Sequence, residues 1–325
     1  MSLRQERVVL CQDYTKTAER FLAEVLNGLG KPQKELPSKY FYDERGSRLF
    51  ERICHLGEYY IPRTEASIMN SNIDGIVELI GSDVQLIEYG SGDCAKVRLL
   101  LDHLHDIGAY VPIDISQNQL LRVTRDLASQ YPELEILPVC ADYTGYFELP
   151  APERRCNRKV VYFPGSTIGN FDPIPARNFL EHIAGVCGSG GGLLIGVDLK
   201  KDPRLLHNAY NDAEGITAAF NLNLLHRINF ELNADFQLEG FEHYAFYNPA
   251  EGRVEMHLVS LAQQTVHIAD HMVFFEQGES IWTESSYKYS LEEFERLAGM
   301  AGFKVEKVWM DANRWFSVQY LIADH

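Results

Sequence analysis

The chain has 325 residues, of which 46% are hydrophobic and 23% charged, the balance of a soluble globular protein rather than a disordered one. Its 46 acidic and 30 basic residues give a formal net charge of −16, which argues against nucleic acid or an anionic membrane as the main partner. No apolar run reaches the ~18 residues of a membrane helix. The first residues lack the apolar core of a secretory signal, so we expect a cytoplasmic protein.

The cysteines are scattered in the manner of reduced intracellular thiols. They are Cys11, Cys54, Cys94, Cys140, Cys156 and Cys187. No two of them form a Cys-x-x-Cys pair, none has a histidine at zinc-ligand spacing, and the 11 histidines form no His-x-x-x-His motif with a nearby carboxylate. We therefore predict neither a disulfide framework nor a metal site.

Apolar residues with a spacing of about 3.6 predict a helix near the start, over 16–28. The next stretch, 36–63, is rich in tyrosine and phenylalanine. We interpret it as an aromatic core in which some rings line a pocket.

From residue 64 onward, predicted strands alternate with predicted helices. The helices are 64–80, 94–104, 117–130 and 175–187, and the strands are 84–89, 109–115, 134–139, 160–163 and 193–199. Alternation at this spacing predicts a parallel sheet covered on both faces.

The alternation stops after residue 199. We predict a helical stretch over 202–233 and then strands over 241–247, 253–264 and 266–275. Ser290 and Glu293 form a capping box that opens a helix over 290–301, and two strands, 304–310 and 315–323, complete a hairpin. The prediction is an α/β domain of residues 64–199 and 290–325, interrupted by a discontinuous α+β domain of residues 1–63 and 200–289.

Three features at the carboxyl ends of predicted strands indicate a nucleoside site. Gly90-Ser91-Gly92 follows the first strand, where glycines allow a close approach of backbone to ligand. Asp114 lies 24 residues after Gly90, a spacing that suits hydrogen bonds to ribose hydroxyls. Asp142 and Tyr143 end the third strand and offer an acceptor and a ring face for adenine. Each acid alone could be a helix cap, but the joint pattern favours a nucleoside.

A short glycine turn without a phosphate-binding Walker loop favours S-adenosylmethionine (SAM) as the cofactor. Lys96, just inside the following helix, is placed to meet the carboxylate of SAM, which the helix N-terminus also favours. Because Ala95 stands at the third glycine position of a dinucleotide fingerprint, a nucleotide-dependent oxidoreductase stays open here. Asp142, Tyr143 and the terminal hairpin argue against it.

Two further polar segments are candidates for the substrate site. Asn170 follows the fourth strand and has both donor and acceptor groups. Glu284 and Ser286 lie two residues apart and would face the same side of an extended segment. The alternative interpretations are a turn cap for Asn170 and a solvated loop around Glu284.

Several motifs together resemble those of the histidine-specific SAM-dependent methyltransferases. The motifs are YFYD at 40–43, EYY at 58–60, RTE at 63–65, YGSG at 89–92, PID at 112–114, PGSTIGN at 164–170 and TESSYK at 283–288. The resemblance implies a class I, Rossmann-like α/β fold with a seven-stranded sheet and a discontinuous second α+β substrate domain. It also implies trimethylation of the α-amino group of L-histidine to hercynine, on the way to ergothioneine.

By the same resemblance, roles pass to individual residues. Those implied to bind SAM are Gly90, Lys96, Asp114, Asp142 and Tyr143. Those implied to bind histidine are Tyr59, Asn170, Tyr210, Met256, Glu284, Ser285 and Ser286. In the family, the equivalents of Tyr59, Asn170, Glu284 and Ser286 hold the imidazole, that of Met256 lines the ring pocket, and that of Tyr210 helps to fix the carboxylate. Tyr42 would lie near the reacting amine and help to remove its proton.

The proposed contacts are chemically consistent, because the Glu284 carboxylate can accept an imidazole N–H while Asn170 and Ser286 serve the other ring nitrogen. Ser285 and Tyr287 are larger than the residues usual at those places in the family. Two alternatives stay open: a methyltransferase of the same family that acts on another aromatic amino acid or amine, and a SAM-binding protein without catalysis. In each case we expect a monomer with a small-molecule ligand.

Overall fold

The computed structural model describes residues 18–92, 95–145 and 147–324. Its strands are β1 (Lys34–Glu35), β2 (Val84–Tyr89), β3 (Ile107–Asp114), β4 (Val139–Cys140), β5 (Arg158–Phe163), β6 (Gly192–Asp198), β7 (Phe241–Asn248), β8 (Arg253–Ser260), β9 (Gln264–Ile268), β10 (His271–Phe275), β11 (Ser280–Tyr287), β12 (Phe303–Met310) and β13 (Phe316–Ala323). Its α-helices are α1 (Ala18–Leu29), α2 (Glu44–Cys54), α3 (Ile61–Ile80), α4 (Ala95–His103), α5 (Gln117–Gln130), α6 (Pro173–Cys187), α7 (Pro203–Tyr210), α8 (Ile216–Leu232) and α9 (Leu291–Met300).

The larger sheet has seven strands in the order β12-β13-β6-β5-β2-β3-β4. The five strands from β6 to β4 are parallel, and β13 pairs antiparallel with both β6 and β12. Every residue of β2 is buried, as expected for a strand covered by helices on both faces. This topology is that of a class I methyltransferase, and it confirms the predicted fold class.

The predicted strand at 134–139 is wrong in extent. The ladder of β3 and β4 holds only two residue pairs, preceded by a single bridge between Tyr110 and Ile136. Pro138 separates the two and has no N–H to donate to the neighbouring strand.

The helical stretch predicted over 202–233 is two helices, α7 and α8. The break comes at Gly215, whose φ is +70°, a conformation that favours glycine. Asp212 caps α8, because its carboxylate accepts the N–H groups of Ile216 and Thr217, each at 2.8 Å. This break places Tyr210 at the end of α7.

A second sheet has four strands in the order β1-β11-β8-β7, and β9 and β10 form a separate hairpin. The predicted strand at 266–275 therefore turns at Ala269, whose φ is +49°. The segment from 280 to 287 is a strand of the four-stranded sheet and not a solvated loop. The capping box at Ser290 and the terminal hairpin are confirmed. The division of the chain into two domains stays a prediction.

The aromatic segment near the start packs as predicted. Phe41 and Tyr60 are fully buried, and the Phe41 ring stacks on Phe220 of α8 with centroids 4.5 Å apart. This contact holds the segment before α2 against the helix that backs the smaller sheet. Within the described ranges, no helix combines the length and apolar character that a membrane crossing requires.

Candidate active site

The carboxyl ends of β2 and β3 are joined by hydrogen bonds around Asp114. Its two carboxylate oxygens accept the N–H of Gly92 at 2.9 Å and the N–H of Ser116 at 2.8 Å. Gly90 and Gly92 both have positive φ, +72° and +53°, which lets the turn fold over the strand end. Burial raises the pKa of Asp114 although these N–H donors oppose the shift. The turn is therefore preformed around a partly buried carboxylate.

Tyr143 lies directly over the glycine turn. A Cβ atom added to Gly90 would lie 3.8 Å from Cε1 of Tyr143, so the ring covers the turn. The neighbouring Asp142 carboxylate accepts the Thr144 N–H at 3.2 Å and lies 3.6 Å from the ammonium of Lys39.

A cavity of about 310 Å³ opens beside these strand ends. Ile115, Cys140 and Asp142 form one wall, and Lys39 and Tyr42 face them from the segment before α2. A ligand pocket is expected at this edge of a parallel sheet. Of the predicted cofactor residues, Asp142 lines this cavity, and Ile115, which also lines it, directly follows Asp114.

Lys96 is also at this edge, but it has a protein partner. Its ammonium lies 2.6 Å from Oε2 of Glu65, and Oε1 of Glu65 accepts the N–H of Gly165 at 2.9 Å. Burial lowers the pKa of Lys96, and the negative charge of Glu65 more than offsets that effect, so the pKa is raised. Because the side chain of Lys96 is 30% exposed, its charge can still be offered to a ligand.

The smaller sheet supplies the second half of the site through β11. Glu284 stands opposite Met256, and Ser286 stands opposite Val254, so these four side chains share one face. Met256 is buried and forms the floor beside Glu284.

The strand alternation excludes one predicted residue. Ser285 pairs with Glu255 and projects to the other face of the sheet, where Glu255 bonds Arg253 at 2.8 Å. The prediction that Ser285 contacts the substrate is not supported by this geometry, because successive side chains of a strand point to opposite faces.

The carboxylate of Glu284 accepts no hydrogen bond from the part of the chain that the structure describes. Burial raises its pKa to about 7, against the opposing positive charge of Lys288. Burial also raises the pKa of the Tyr42, Tyr59 and Tyr210 phenols, and the charge of Glu284 adds to each shift. The three phenols are therefore near enough to this carboxylate to interact with its charge.

Asn170 ends a short 3₁₀ turn, Thr167–Asn170, that packs on β11. A Cβ atom added to Gly169 would lie 2.7 Å from the carbonyl oxygen of Tyr287, so the turn packs directly on the backbone of β11. Only glycine permits that approach. Ser166 anchors the turn, since its hydroxyl accepts the N–H of Asp198 at 2.9 Å.

Tyr42 connects the two halves of the site. It lines the cavity beside Asp142 and lies within the electrostatic reach of Glu284. Its ring meets Phe50 edge-on with centroids 5.7 Å apart, and Phe50 in turn meets Tyr59 at 6.4 Å. Asp43 fixes this segment, since it caps α2 by accepting the N–H of Gly46 at 2.6 Å.

Comparison with known proteins identifies the family. Residues 21–323 match the family described as "Histidine-specific methyltransferase, SAM-dependent". The chain belongs to this family. The resemblance found in the sequence motifs is confirmed, and the protein is a SAM-dependent methyltransferase.

Individual relatives agree with this assignment. The chain is 40% identical over 300 residues to the histidine N-alpha-methyltransferase of Mycolicibacterium smegmatis, covering 90% of this chain and 92% of that one. It is 33% identical to ergothioneine biosynthesis protein 1 of Neurospora crassa, covering 87% of this chain and 32% of the longer protein. Among solved structures, 1,6-didemethyltoxoflavin-N1-methyltransferase from Burkholderia thailandensis is similar over 89% of this chain and 88% of that one, with 10% identity and a TM-score of 0.46, a likeness from which we draw no conclusion.

Sequence patterns indicate no role for two buried charged residues of this methyltransferase. Glu65 is 1% exposed and connects Lys96 to the segment that carries Asn170. Lys288 is fully buried and lies 2.9 Å from Asp198. Both belong to quoted motifs, RTE and TESSYK, but no local pattern indicates that either charge is inside the protein. Burial of a lysine requires a nearby counter-charge, and the partner here is 90 residues away in the chain.

Proposed function

We propose that this enzyme transfers methyl groups from SAM to the α-amino nitrogen of L-histidine, three times in succession, and releases hercynine. The observation that carries the proposal is the Glu284 carboxylate, partly buried and without a hydrogen-bond partner in the described chain, on a face shared with Ser286 and Met256. A small ring with an N–H would supply the missing donor. The names of the relatives, histidine N-alpha-methyltransferase and ergothioneine biosynthesis protein 1, support the same substrate and pathway.

The cavity at the strand ends suits SAM. Asp114 would accept hydrogen bonds from the ribose hydroxyls, and Asp142 with Tyr143 would hold the adenine. Lys96, near the start of α4, would pair with the carboxylate of the cofactor, and Gly90 would let the backbone approach it closely. When bound, SAM supplies a methyl group on a positively charged sulfur that makes it open to displacement.

The chain contributes chiefly by positioning the reactants. The amine must attack with a free lone pair, so that the new N–C bond forms as the S–C bond breaks. Burial keeps the pKa of Tyr42 well above its ordinary value, so Tyr42 is a neutral phenol at physiological pH. We assign it the role of orienting the amine and passing the amine proton to water, not of a phenolate base.

The aromatic wall suits the charge of the product. Three methylations leave a permanent cation, and Tyr42, Phe50 and Tyr59 lie around the place where the amine would sit. Ring faces stabilise a quaternary ammonium by cation–π contact, which would hold the partly methylated amine between transfers.

We further propose that the enzyme acts as a cytoplasmic monomer built from the two predicted domains. A site that is complete within one chain would let the protein act as a monomer. The acidic net charge and scattered cysteines support the location. Sedimentation equilibrium at the mass of one 37.1 kDa chain is the expected result, and a stable dimer would contradict it.

The test of the function is mass spectrometry of L-histidine incubated with SAM and the purified protein. We expect products that carry one, two and three methyl groups. Methyl gain on another aromatic amine but not on histidine would mean that the substrate is that amine, while the reaction would still be methyl transfer from SAM. Binding of SAM without transfer to any amine would mean a non-catalytic SAM-binding protein.

A further inference from the structure

Lys288 lies immediately behind the histidine pocket, at the end of β11. It is fully buried, and its three N–H groups have three partners. The ammonium lies 2.9 Å from Oδ2 of Asp198, 2.7 Å from the hydroxyl of Ser286 and 3.1 Å from the phenol of Tyr210. Burial lowers the pKa of Lys288, but Asp198 and Tyr210 outweigh that effect and raise it, so the charge persists at physiological pH.

The two hydroxyl groups also contact each other. The Tyr210 and Ser286 oxygens are 2.8 Å apart, so one of their two protons lies between them. Neither can donate to Lys288, because an ammonium has no lone pair. Whichever hydroxyl donates to the other, one proton remains, and it points away from the lysine. The pair therefore offers its surroundings one hydrogen-bond donor.

We propose that Lys288 is a positioning residue that sets the polarity of the histidine pocket: it makes the Tyr210–Ser286 pair a hydrogen-bond donor, on the same face of β11 as the acceptor Glu284. A pocket with one donor and one acceptor selects a ring with one N–H and one unprotonated nitrogen, which is neutral imidazole. An imidazolium would present a second N–H to a donor. This inference rests on the proposed histidine substrate.

Removal of Lys288 should leave the surrounding charges compensated. Asp198 keeps an ion pair with Lys201 and accepts a hydrogen bond from Tyr60 at 2.8 Å. Loss of the lysine therefore changes the donors of the pocket without leaving a buried carboxylate unpaired. A variant at this position should fold.

The test compares Lys288→Met with Lys288→Gln, two uncharged side chains of similar length of which only glutamine can donate a hydrogen bond. Calorimetry would measure binding of L-histidine and of β-(2-thienyl)-L-alanine, whose ring has neither an N–H nor a basic nitrogen, with S-adenosylhomocysteine bound. We expect Lys288→Met to weaken histidine relative to the thienyl analogue by about 10- to 100-fold, and Lys288→Gln to recover part of that loss. Equal weakening of both ligands, or equal behaviour of the two variants, would mean a purely structural lysine.

A second measurement needs no variant. Nitrogen NMR of ring-labelled histidine bound to the wild-type protein should show one protonated and one unprotonated ring nitrogen at neutral pH. Two protonated nitrogens would overturn the assignment of Lys288 even if histidine is the substrate. Absence of histidine methylation by the wild-type protein would instead overturn the proposed function, so the two failures are distinguishable.

Discussion

Two regions differ in how their polar side chains are hydrogen-bonded. They are the cofactor edge (Gly90, Lys96, Asp114, Asp142 and Tyr143) and the proposed histidine pocket (Tyr59, Asn170, Glu284 and Ser286). At the cofactor edge, the chain itself pairs the charges: Asp114 accepts two backbone N–H groups, and Lys96 pairs with Glu65. In the histidine pocket, the side chains of Glu284, Asn170 and Tyr59 have no hydrogen-bond partner within the described ranges. The first region is preorganised, whereas we propose that a substrate satisfies the polar groups of the second. That difference predicts that the pocket discriminates strictly between ligands, whereas the cofactor edge discriminates less strictly.

The largest expected effect comes from Glu284→Gln, which removes the negative charge of the pocket's acceptor. We expect kcat/KM for histidine to fall about 10- to 100-fold, since a hydrogen bond to a charged carboxylate becomes one to a neutral amide oxygen. SAM affinity, measured by calorimetry, should stay within about twofold, because Glu284 lies on the other sheet. An equal loss in SAM affinity would remove the distinction between the two regions.

Asp114→Asn should have the opposite pattern, with an effect on the cofactor and none on the substrate. We expect SAM binding to weaken by about 10-fold, since an amide can accept at only one atom while Gly92 and Ser116 donate to two. Histidine affinity at saturating S-adenosylhomocysteine should be unchanged. If the variant instead lost histidine binding, the assignment of Asp114 to the cofactor would be wrong.

The pH dependence of histidine binding follows from Glu284, whose pKa is about 7. The titratable groups that interact with it are Lys288 and the phenols of Tyr42, Tyr59 and Tyr210. The pKa values of all four are raised, so none of them titrates between pH 6 and 8. We expect the Kd of histidine to fall as pH rises through about 7, because the charged carboxylate is a stronger acceptor of the ring N–H than the protonated acid. In Glu284→Gln, the pH dependence of Kd that comes from Glu284 should disappear. Only the dependence caused by the titration of histidine itself should remain.

Glu284 should also affect stability, with the opposite sign. Its pKa is raised from 4.5 to about 7, so the folded state holds the proton more tightly than the unfolded state. The stability it contributes is present below pH 4.5 and is lost as pH rises through 7, by up to about 3 kcal/mol. Without ligand, Glu284→Gln should therefore gain stability over the wild type between pH 5 and 8 in urea unfolding. A constant difference would contradict the buried-carboxylate account.

The smallest effect is expected at Ser285, which the strand alternation turns away from the pocket. Ser285→Ala should change kcat/KM for histidine by less than about twofold, whereas the matched control Ser286→Ala should lower it by about 10-fold. A large effect at Ser285 would mean that β11 presents its other face to the substrate.

The cofactor edge was more predictable from sequence than the pocket. Alternating apolar strands and the glycine turn at Gly90 follow from local pattern, and the parallel sheet brings Asp114 and Asp142 together without further information. Only the length of β4 was wrong, where Pro138 interrupts the ladder. Local rules suffice where the fold places strand ends side by side.

The pocket depends on contacts that no local pattern encodes. β11 contains Thr283, Glu284 and Ser286, which are polar enough to suggest a loop, yet the segment is a strand in the interior of the smaller sheet. The Thr283 and Ser286 hydroxyls bond other parts of the chain, and we propose that Glu284 serves a ligand. The role of Lys288 emerges only when β6 brings Asp198 beside it. The family motifs identified Glu284 and Ser286, and the structure supplied the geometry.

The most direct test of the account is methylation in competition. The wild-type protein, given SAM and an equimolar pool of the common amino acids, should add methyl groups to histidine alone, up to three, as read by mass spectrometry. Methyl gain on tryptophan, tyrosine or phenylalanine at a comparable rate would contradict the claim that an acceptor at Glu284 and a donor at Ser286 select the ring.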